Sequence, residues 1–179
     1  MGYKLSNITV LIVDDAQEMF EITRSVLQTF GINRIISAHD LRSGFRKFYN
    51  YNPDLVIVDW LENMDLSGDV EMADGLKLVQ AIRQDPKSPN PYVPIIMMTG
   101  YTIRKNIDLA RDIGATEFIA KPFTADTLCK KIEHIIEKPR RFVKAPDFFG
   151  PDRRRQDVPF NGIERRADDL VFTPVGEKG

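Results

Sequence analysis

Short runs of β-branched apolar residues alternate five times with segments of helical periodicity over residues 1–138. The first run, residues 8–13, is apolar except for Thr9, which is typical of a strand that is buried on both faces. Apolar residues then recur at helical spacing as far as Gly31, namely Met19, Ile22, Val26 and Phe30. This alternation is typical of βα units around a parallel sheet.

Four further units repeat the pattern. Their predicted strands cover residues 34–38, 55–58, 95–99 and 117–120. Their predicted helices cover residues 40–49, 75–84, 103–113 and a last segment that Thr124 caps and Pro139 ends. Right-handed crossovers would join these units into an α/β fold, (βα)5, with a doubly wound five-stranded parallel sheet in a three-layer sandwich. Such a fold places a functional site at the carboxyl ends of its strands.

Composition excludes several classes of protein. The 25 basic and 26 acidic side chains leave a net charge of −1, which does not favour a general polyanion-binding protein. No apolar run approaches the roughly 20 residues that a membrane span requires. Cys129 is the only cysteine, so an intrachain disulfide and a cysteine-based zinc site are both excluded. We therefore expect a cytoplasmic protein.

Polar residues stand at the carboxyl ends of four predicted strands. Asp14 and Asp15 follow the first strand, Asp59 the third, Thr99 the fourth and Lys121 the fifth. Clustered carboxylates repel one another and need a cation, and a set of oxygen ligands suits Mg²⁺. A lysine beside them indicates an anionic group in the same pocket. The pattern predicts a Mg²⁺-dependent phosphoryl site at which an aspartate is the nucleophile.

The order and spacing of these residues resemble the receiver domains of bacterial two-component response regulators, over about residues 5–138. The matching segments are Asp14-Asp15 after Val-Leu-Ile-Val, Asp59 after Leu-Val-Ile-Val, Asp74-Gly75-Leu76, Met98-Thr99-Gly100 and Lys121-Pro122-Phe123. The resemblance implies a CheY-like, flavodoxin-like fold. It also implies a signalling switch rather than an enzyme, since such a domain catalyses only its own phosphorylation and dephosphorylation.

The resemblance assigns roles to individual residues. It implies Asp59 as the phospho-acceptor. Asp15 and Asp59 would bind Mg²⁺ directly, Asp14 would act largely through water, and the backbone carbonyl of Leu61 would complete the protein ligands. A sensor histidine kinase or phosphotransfer protein would supply the phosphoryl group.

Further residues are implied to carry the signal away from the acceptor. Lys121 would pair with the phosphoryl group, Thr99 would move toward it, and Phe118 would turn inward. The surface of the fourth helix, fifth strand and fifth helix would then change for a downstream protein target. The Lys121-Pro122 bond is implied to be cis.

Two features depart from the usual family pattern. The loop over residues 60–74 is roughly eight residues longer than is usual in the family, so the spacing of Asp74-Gly75 by itself is weaker support for the resemblance than the other matching segments. Leu61 and Tyr101 stand where they would flank the approach of a hydrolytic water, and both are bulky and non-acidic. We therefore predict slow self-dephosphorylation.

Mg²⁺-dependent phosphatases with an aspartyl nucleophile are an alternative class, but they have a DxD motif where this chain has Asp14-Asp15-Ala16.

Residues 139–179 are too few and too polar for an independent domain, so the predicted organisation is a receiver domain over residues 1–138 and an irregular extension. The extension has no apolar periodicity for a helix-turn-helix, which makes DNA an unfavoured partner. No oligomeric state follows from the sequence.

The extension repeats the pattern Phe-x-Gly-x-acid-Arg-Arg with a period of 12 residues, at 148–154 and 160–166. Its arginines suit docking to a protein or gripping a phosphate, and the candidates are Arg153, Arg154, Arg155, Arg165 and Arg166. Three interpretations stay open: a solvated tail, a docking segment that includes folding back on the receiver, and a site for an anionic ligand. The last gives an alternative function, a ligand-responsive adaptor that binds, for example, cyclic di-GMP.

Overall fold

The computed structural model of the chain describes residues 5–61, 73–100, 104–145, 148–152 and 170–172. Within these ranges a short 3₁₀ turn, Leu5–Asn7, precedes the first strand. The strands of the main sheet are β1 (Thr9–Val13), β2 (Arg34–Ala38), β3 (Leu55–Asp59), β4 (Ile95–Thr99) and β5 (Glu117–Ala120). The helices are α1 (Gln17–Thr29), α2 (Leu41–Tyr51), α3 (Asp74–Gln84), α4 (Arg104–Ile113) and α5 (Ala125–Glu137).

The five strands of the main sheet are parallel and lie in the order β2-β1-β3-β4-β5. This order confirms the doubly wound α/β sandwich that the sequence predicts. Since successive side chains of a strand point to opposite faces, β1 contributes Leu11 to one core cluster and Ile12 to the other. The first cluster includes Leu78 of α3, and the second includes Leu128 of α5.

Local signals set the helix limits close to the predicted ones. Helix α1 is followed by Gly31, whose φ of +81° is a conformation that glycine adopts without strain. Helix α2 ends at Tyr51 and is capped by Asn52, a residue type that tolerates its left-handed φ of 41°. Thr124 caps α5 by accepting a hydrogen bond from the Thr127 N–H at 3.2 Å, as predicted.

Helix α2 gives a pH-dependent prediction. The Asp40 carboxylate accepts a hydrogen bond from the Ser43 N–H at 2.7 Å, and this bond lowers the pKa of Asp40 below 3.8. Because the carboxylate is favoured in the folded state, its contribution is present above pH 3.8 and is lost as the pH falls through the folded pKa. We expect Asp40→Ala to lower the free energy of unfolding by about 1 kcal/mol at neutral pH, measured by urea denaturation.

Asp40→Asn is the matched control, because asparagine keeps the acceptor without a titrating group. It should cost little at neutral pH. The difference in free energy of unfolding between Asp40→Ala and the unmodified chain should become smaller near pH 3. An equal difference at pH 3 and at neutral pH would show that the Asp40 carboxylate does not stabilise the helix by accepting the Ser43 N–H.

The extension contains strands where the sequence predicted irregular structure. Strands β6 (Phe142–Ala145), β7 (Phe148–Pro151) and β8 (Leu170–Phe172) form an antiparallel sheet in the order β7-β6-β8. Such short strands carry little periodicity and depend on packing for stability. Here the rings of Phe142 and Phe149 pack on the Tyr92 ring, and each centroid lies 5.2 Å from that of Tyr92. The boundary after residue 138 stays a prediction.

Across the part of the chain that the structure describes, no helix combines the length and apolar character that crossing a membrane requires.

Candidate functional site

Three carboxylates come together at the carboxyl edge of the main sheet. Asp14 and Asp15 follow β1, and Asp59 ends β3, which is the parallel neighbour of β1. One carboxylate oxygen from each residue lies within 4.8 Å of the other two. Asp14 is fully buried, Asp59 is partly buried and Asp15 is exposed. The structure therefore brings together the three aspartates that the sequence singled out.

Lys121 is the cation of this cluster. Its Nζ lies 3.1 Å from Asp14 Oδ2 and 2.9 Å from Asp59 Oδ1. Its backbone N–H donates to the Thr99 carbonyl at 2.8 Å, and its bond to Pro122 is cis as predicted. Among the described residues of this cluster, one ammonium group faces three carboxylates, so negative charge is in excess.

The pKa of Asp14 is raised by its surroundings in the cluster. Burial raises the pKa of Asp14, and the neighbouring Asp59 charge raises it further. The Ala16 N–H at 2.9 Å and the Lys121 ammonium act in the opposite direction but do not cancel the effect of burial. A second cation bound between the carboxylates would offset these effects and stabilise their ionised forms.

The start of α3 packs directly against the end of β3. The Gly75 N–H donates to the Trp60 carbonyl at 3.1 Å, and the Asp74 N–H donates to the Leu61 carbonyl at 3.1 Å. A Cβ at Gly75 would lie 2.1 Å from the Asp59 carbonyl oxygen. Gly75 is thus a positioning residue of the site. The sequence motif Asp74-Gly75-Leu76 drew attention to Gly75, but the close packing of α3 against the β3 backbone was not predicted.

Leu61 holds an unusual backbone conformation beside the cluster. Its φ is +49°, in the left-handed region, and its side chain is buried. Its carbonyl already accepts the Asp74 N–H, but a carbonyl oxygen has a second lone pair. The predicted ligand role of this carbonyl is compatible with that bond and stays a prediction.

Thr99 and Phe118 lie on neighbouring strands behind the cluster. Thr99 ends β4 and is buried, and Phe118 on β5 pairs with Met97 in the sheet. Phe118 is partly buried and packs on the core cluster that contains Leu78. Tyr101 and the arginines proposed as tail ligands, Arg153, Arg154, Arg155, Arg165 and Arg166, lie outside the described residues.

The donor atoms fit a hard divalent cation. The cluster offers carboxylate oxygens within 4.8 Å of one another, with no histidine or cysteine in the group that the described residues form. Oxygen donors of this kind suit Mg²⁺ and do not suit softer metals. The cluster is compatible with the Mg²⁺ site that is typical of receiver domains.

Fold and site together define a receiver-type switch, and comparisons with known proteins agree. A family model described as response regulator receiver domain matches residues 10–133. The chain is 30% identical over 129 residues to the chemotaxis protein CheY of Pseudomonas aeruginosa, covering 72% of this chain and 96% of that protein. It is 31% identical over 132 residues to CheY-3 of Vibrio cholerae serotype O1, covering 74% and 94%. The structure of Vibrio cholerae CheY4 matches with a TM-score of 0.59 and 28% identity, over 72% of this chain and 98% of that one.

The chain belongs to the response regulator receiver domain family. Membership implies a phospho-signalling switch of a two-component system, which works with a histidine kinase or phosphotransfer protein and a downstream target. The family consists of signalling regulators rather than conventional enzymes.

The position of Lys121 leads to a second prediction. Lys121→Met removes the cation but keeps a side chain of similar length, and it leaves the buried Asp14 without its ion-pair partner. Removing one member of a buried pair is destabilising. We expect a loss of about 2 kcal/mol in the free energy of unfolding in Mg²⁺-free buffer, and a smaller loss at saturating Mg²⁺.

Lys130→Met is the control, because Lys130 pairs with Asp126 at 2.7 Å on the exposed face of α5. Its stability should change little, with or without Mg²⁺. A Lys121→Met protein as stable as the unmodified chain without Mg²⁺ would show that this contact does not stabilise the fold.

Proposed function

We propose that the chain is a phosphorylation-dependent switch whose acceptor is Asp59. The observation that carries the proposal is the meeting of Asp14, Asp15, Asp59 and Lys121 at one edge of the sheet. The phosphoryl donor is a partner histidine kinase or phosphotransfer protein, and the output is a change in binding to a downstream protein.

Burial and contacts favour Asp59 over its neighbours as the acceptor. Asp14 is fully buried and its oxygens accept from the Ala16 N–H and from Lys121, so a donor cannot reach it. Asp15 is exposed and follows the strand instead of ending it. The Asp59 side chain is 16% exposed and is fixed by the end of β3 and by Lys121. It combines access with a defined position.

The reaction is a displacement at phosphorus. A carboxylate oxygen of Asp59 attacks, the bond from phosphorus to the donor nitrogen of a phosphohistidine breaks, and the electron pair leaves with the imidazole. Asp15, Asp59 and the Leu61 carbonyl would hold Mg²⁺, with Asp14 acting through water. The bound ion supplies neutralisation of charge on the phosphoryl oxygens. Lys121 pairs with those oxygens, and the Thr99 hydroxyl donates to one of them.

The new charge then drives the switch. Phosphorylation adds nearly two negative charges and acceptor oxygens beside β4 and β5. Thr99 follows the phosphoryl group, Phe118 fills the space that Thr99 leaves, and the surface of α4, β5 and α5 changes for the partner.

The alternative function is a ligand-responsive adaptor whose arginine-rich extension binds an anionic ligand such as cyclic di-GMP. It depends on arginines outside the described residues, and nothing in the described part of the chain favours it.

Trp60, the only tryptophan, allows a direct test. It follows Asp59, is 8% exposed, and is bonded through its backbone to Met98 and Gly75. We expect its fluorescence to change saturably with Mg²⁺, and again when beryllofluoride, a phosphoryl mimic, is added to the Mg²⁺-loaded full chain. Fluoride alone is the control. No response to Mg²⁺ and beryllofluoride together would contradict the proposal.

A further inference from the structure

The hairpin of β6 and β7 is docked on the amino end of the main sheet, opposite the acidic cluster. Phe142 and Phe149 contact each other with ring centroids 5.7 Å apart, and both contact Tyr92, which precedes β4. Gly150 meets Gly114, the residue that follows α4, so closely that a Cβ on Gly150 would lie 2.9 Å from the Gly114 Cα. The hairpin therefore has a specific position on the receiver.

Arg83, from the last turn of α3, lies beneath this hairpin. It is 3% exposed, and its guanidinium donates to the Gly114 carbonyl at 3.0 Å and to the Pro91 carbonyl at 2.7 Å. The guanidinium carbon lies 5.1 Å from the centre of the Phe142 ring. Burial lowers the pKa of Arg83 to about 9. The docked Phe142 therefore packs over a buried cation.

The same guanidinium reaches the residue before β5. Its Nη2 lies 3.5 Å from Thr116 Oγ1, which also accepts the Ile95 N–H at 3.0 Å. We call Arg83, Tyr92, Gly114 and Thr116 the hairpin seat. The seat joins the amino ends of β4 and β5 to the extension.

A second contact between the extension and β5 comes from Glu117, the first residue of that strand. Its buried carboxylate lies 2.7 Å from Lys131 Nζ of α5 and 3.8 Å from Arg140 Nη2, just before β6. The amino end of β5 is thus held both by the seat and by this ion-pair cluster.

Strand β5 is held at both of its ends. At the carboxyl end, Lys121 contacts Asp14 and Asp59. At the amino end, Thr116 contacts Arg83 within the seat, and Glu117 contacts Arg140 of the extension. β5 is the edge strand of the main sheet and pairs with β4 alone among the described strands. An edge strand bonded on one side is freer to shift than a central one.

We propose that docking of the β6–β7 hairpin and phosphorylation of Asp59 are coupled through β5, with the hairpin stabilising the unphosphorylated arrangement. The inference rests on the proposed function. A phosphoryl group draws Lys121 toward itself, and β5, which leads into Lys121, shifts with it. That shift strains the contacts at Thr116 and Glu117. Phosphorylation therefore loosens the hairpin, and by linkage an undocked hairpin raises the affinity for a phosphoryl mimic by the same factor.

The test compares Phe142→Ala with Lys144→Ala in the full chain. Phe142 is buried and contacts Tyr92 and Arg83 of the seat, whereas Lys144 lies two residues further along β6 and is exposed. At saturating Mg²⁺, beryllofluoride affinity is measured by Trp60 fluorescence. We expect Phe142→Ala to bind at least about fivefold more tightly than the unmodified chain, and Lys144→Ala to match the unmodified chain.

A second measurement needs no variant, so the proposal stays testable if Phe142→Ala fails to fold. Amide hydrogen exchange of residues 142–151 is followed in the unmodified full chain, with and without beryllofluoride at saturating Mg²⁺. Exchange should become several-fold faster with beryllofluoride.

The outcomes separate the two proposals. A normal beryllofluoride response with unchanged or slower hairpin exchange, or with equal affinity in a folded Phe142→Ala protein, would contradict the coupling and leave the proposed function intact. An unmodified chain with no beryllofluoride response at all would overturn the proposed function and the coupling with it.

Discussion

Asp59→Asn is expected to reduce phosphoryl incorporation from acetyl phosphate from one group per chain to none detectable by intact mass. An amide oxygen is a poor nucleophile, and its acyl phosphate equivalent does not form under these conditions. The substitution also removes one of the three carboxylates in the cluster and the oxygen 2.9 Å from Lys121 Nζ. We therefore expect Mg²⁺ affinity, followed by Trp60 fluorescence, to fall at least about tenfold.

Asp126→Asn makes the same chemical change at an exposed position on α5, where Asp126 pairs with Lys130. It should take up phosphoryl groups like the unmodified chain. Incorporation by Asp59→Asn at the unmodified rate and stoichiometry would move the acceptor to another residue, and peptide mapping after borohydride reduction would identify it.

Gly75→Ala is expected to disrupt both the fold and the site, although it adds only one methyl group. The new Cβ would lie 2.1 Å from the Asp59 carbonyl oxygen and 2.8 Å from that of Trp60. Both obstacles are backbone atoms, so no side chain can move aside, and the start of α3 has to shift away from β3. We expect a loss of about 3 kcal/mol in the free energy of unfolding, measured by urea denaturation.

The same shift should weaken Mg²⁺ binding, because the Asp74 and Gly75 N–H groups hold the carbonyls of Leu61 and Trp60 beside the cluster. Gly100→Ala is a matched control. Gly100 follows Thr99 at the same edge of the sheet, and among the described residues a Cβ there would meet no atom within 4 Å. A Gly75→Ala protein with the stability and Mg²⁺ affinity of Gly100→Ala would show that α3 moves away from β3 without cost.

Most of the receiver architecture could be predicted, because its signals are local. Strand β4 was predicted at its observed limits, residues 95–99, and α3 differs from its predicted start by one residue. Parallel strands place their carboxyl ends at one edge, so naming the residue after each strand was enough to predict that Asp14, Asp59 and Lys121 meet. Their functional roles remain proposals.

The extension and its contacts could not be predicted in this way. Its strands are four residues or fewer, too short to show a period. Strands β6 and β7 pack on Tyr92, and Phe142 of β6 also packs on Arg83; both residues precede these strands by about 50 residues or more. The arginine at position 83 has the sequence context of an ordinary exposed residue in the last turn of a helix. In the fold it is buried, because the Pro91 and Gly114 carbonyls accept from its guanidinium and the Phe142 ring packs over it.

By itself, the sequence determined the order of βα units, the sheet they form and the residues at its carboxyl edge, because periodicity, capping and parallel pairing act within and between successive segments. The tertiary structure decided what Gly75 and Arg83 do. The first depends on how closely α3 approaches the backbone of β3, and the second on which distant segment covers the amino end of β5. Both are distances between elements that sequence spacing does not fix.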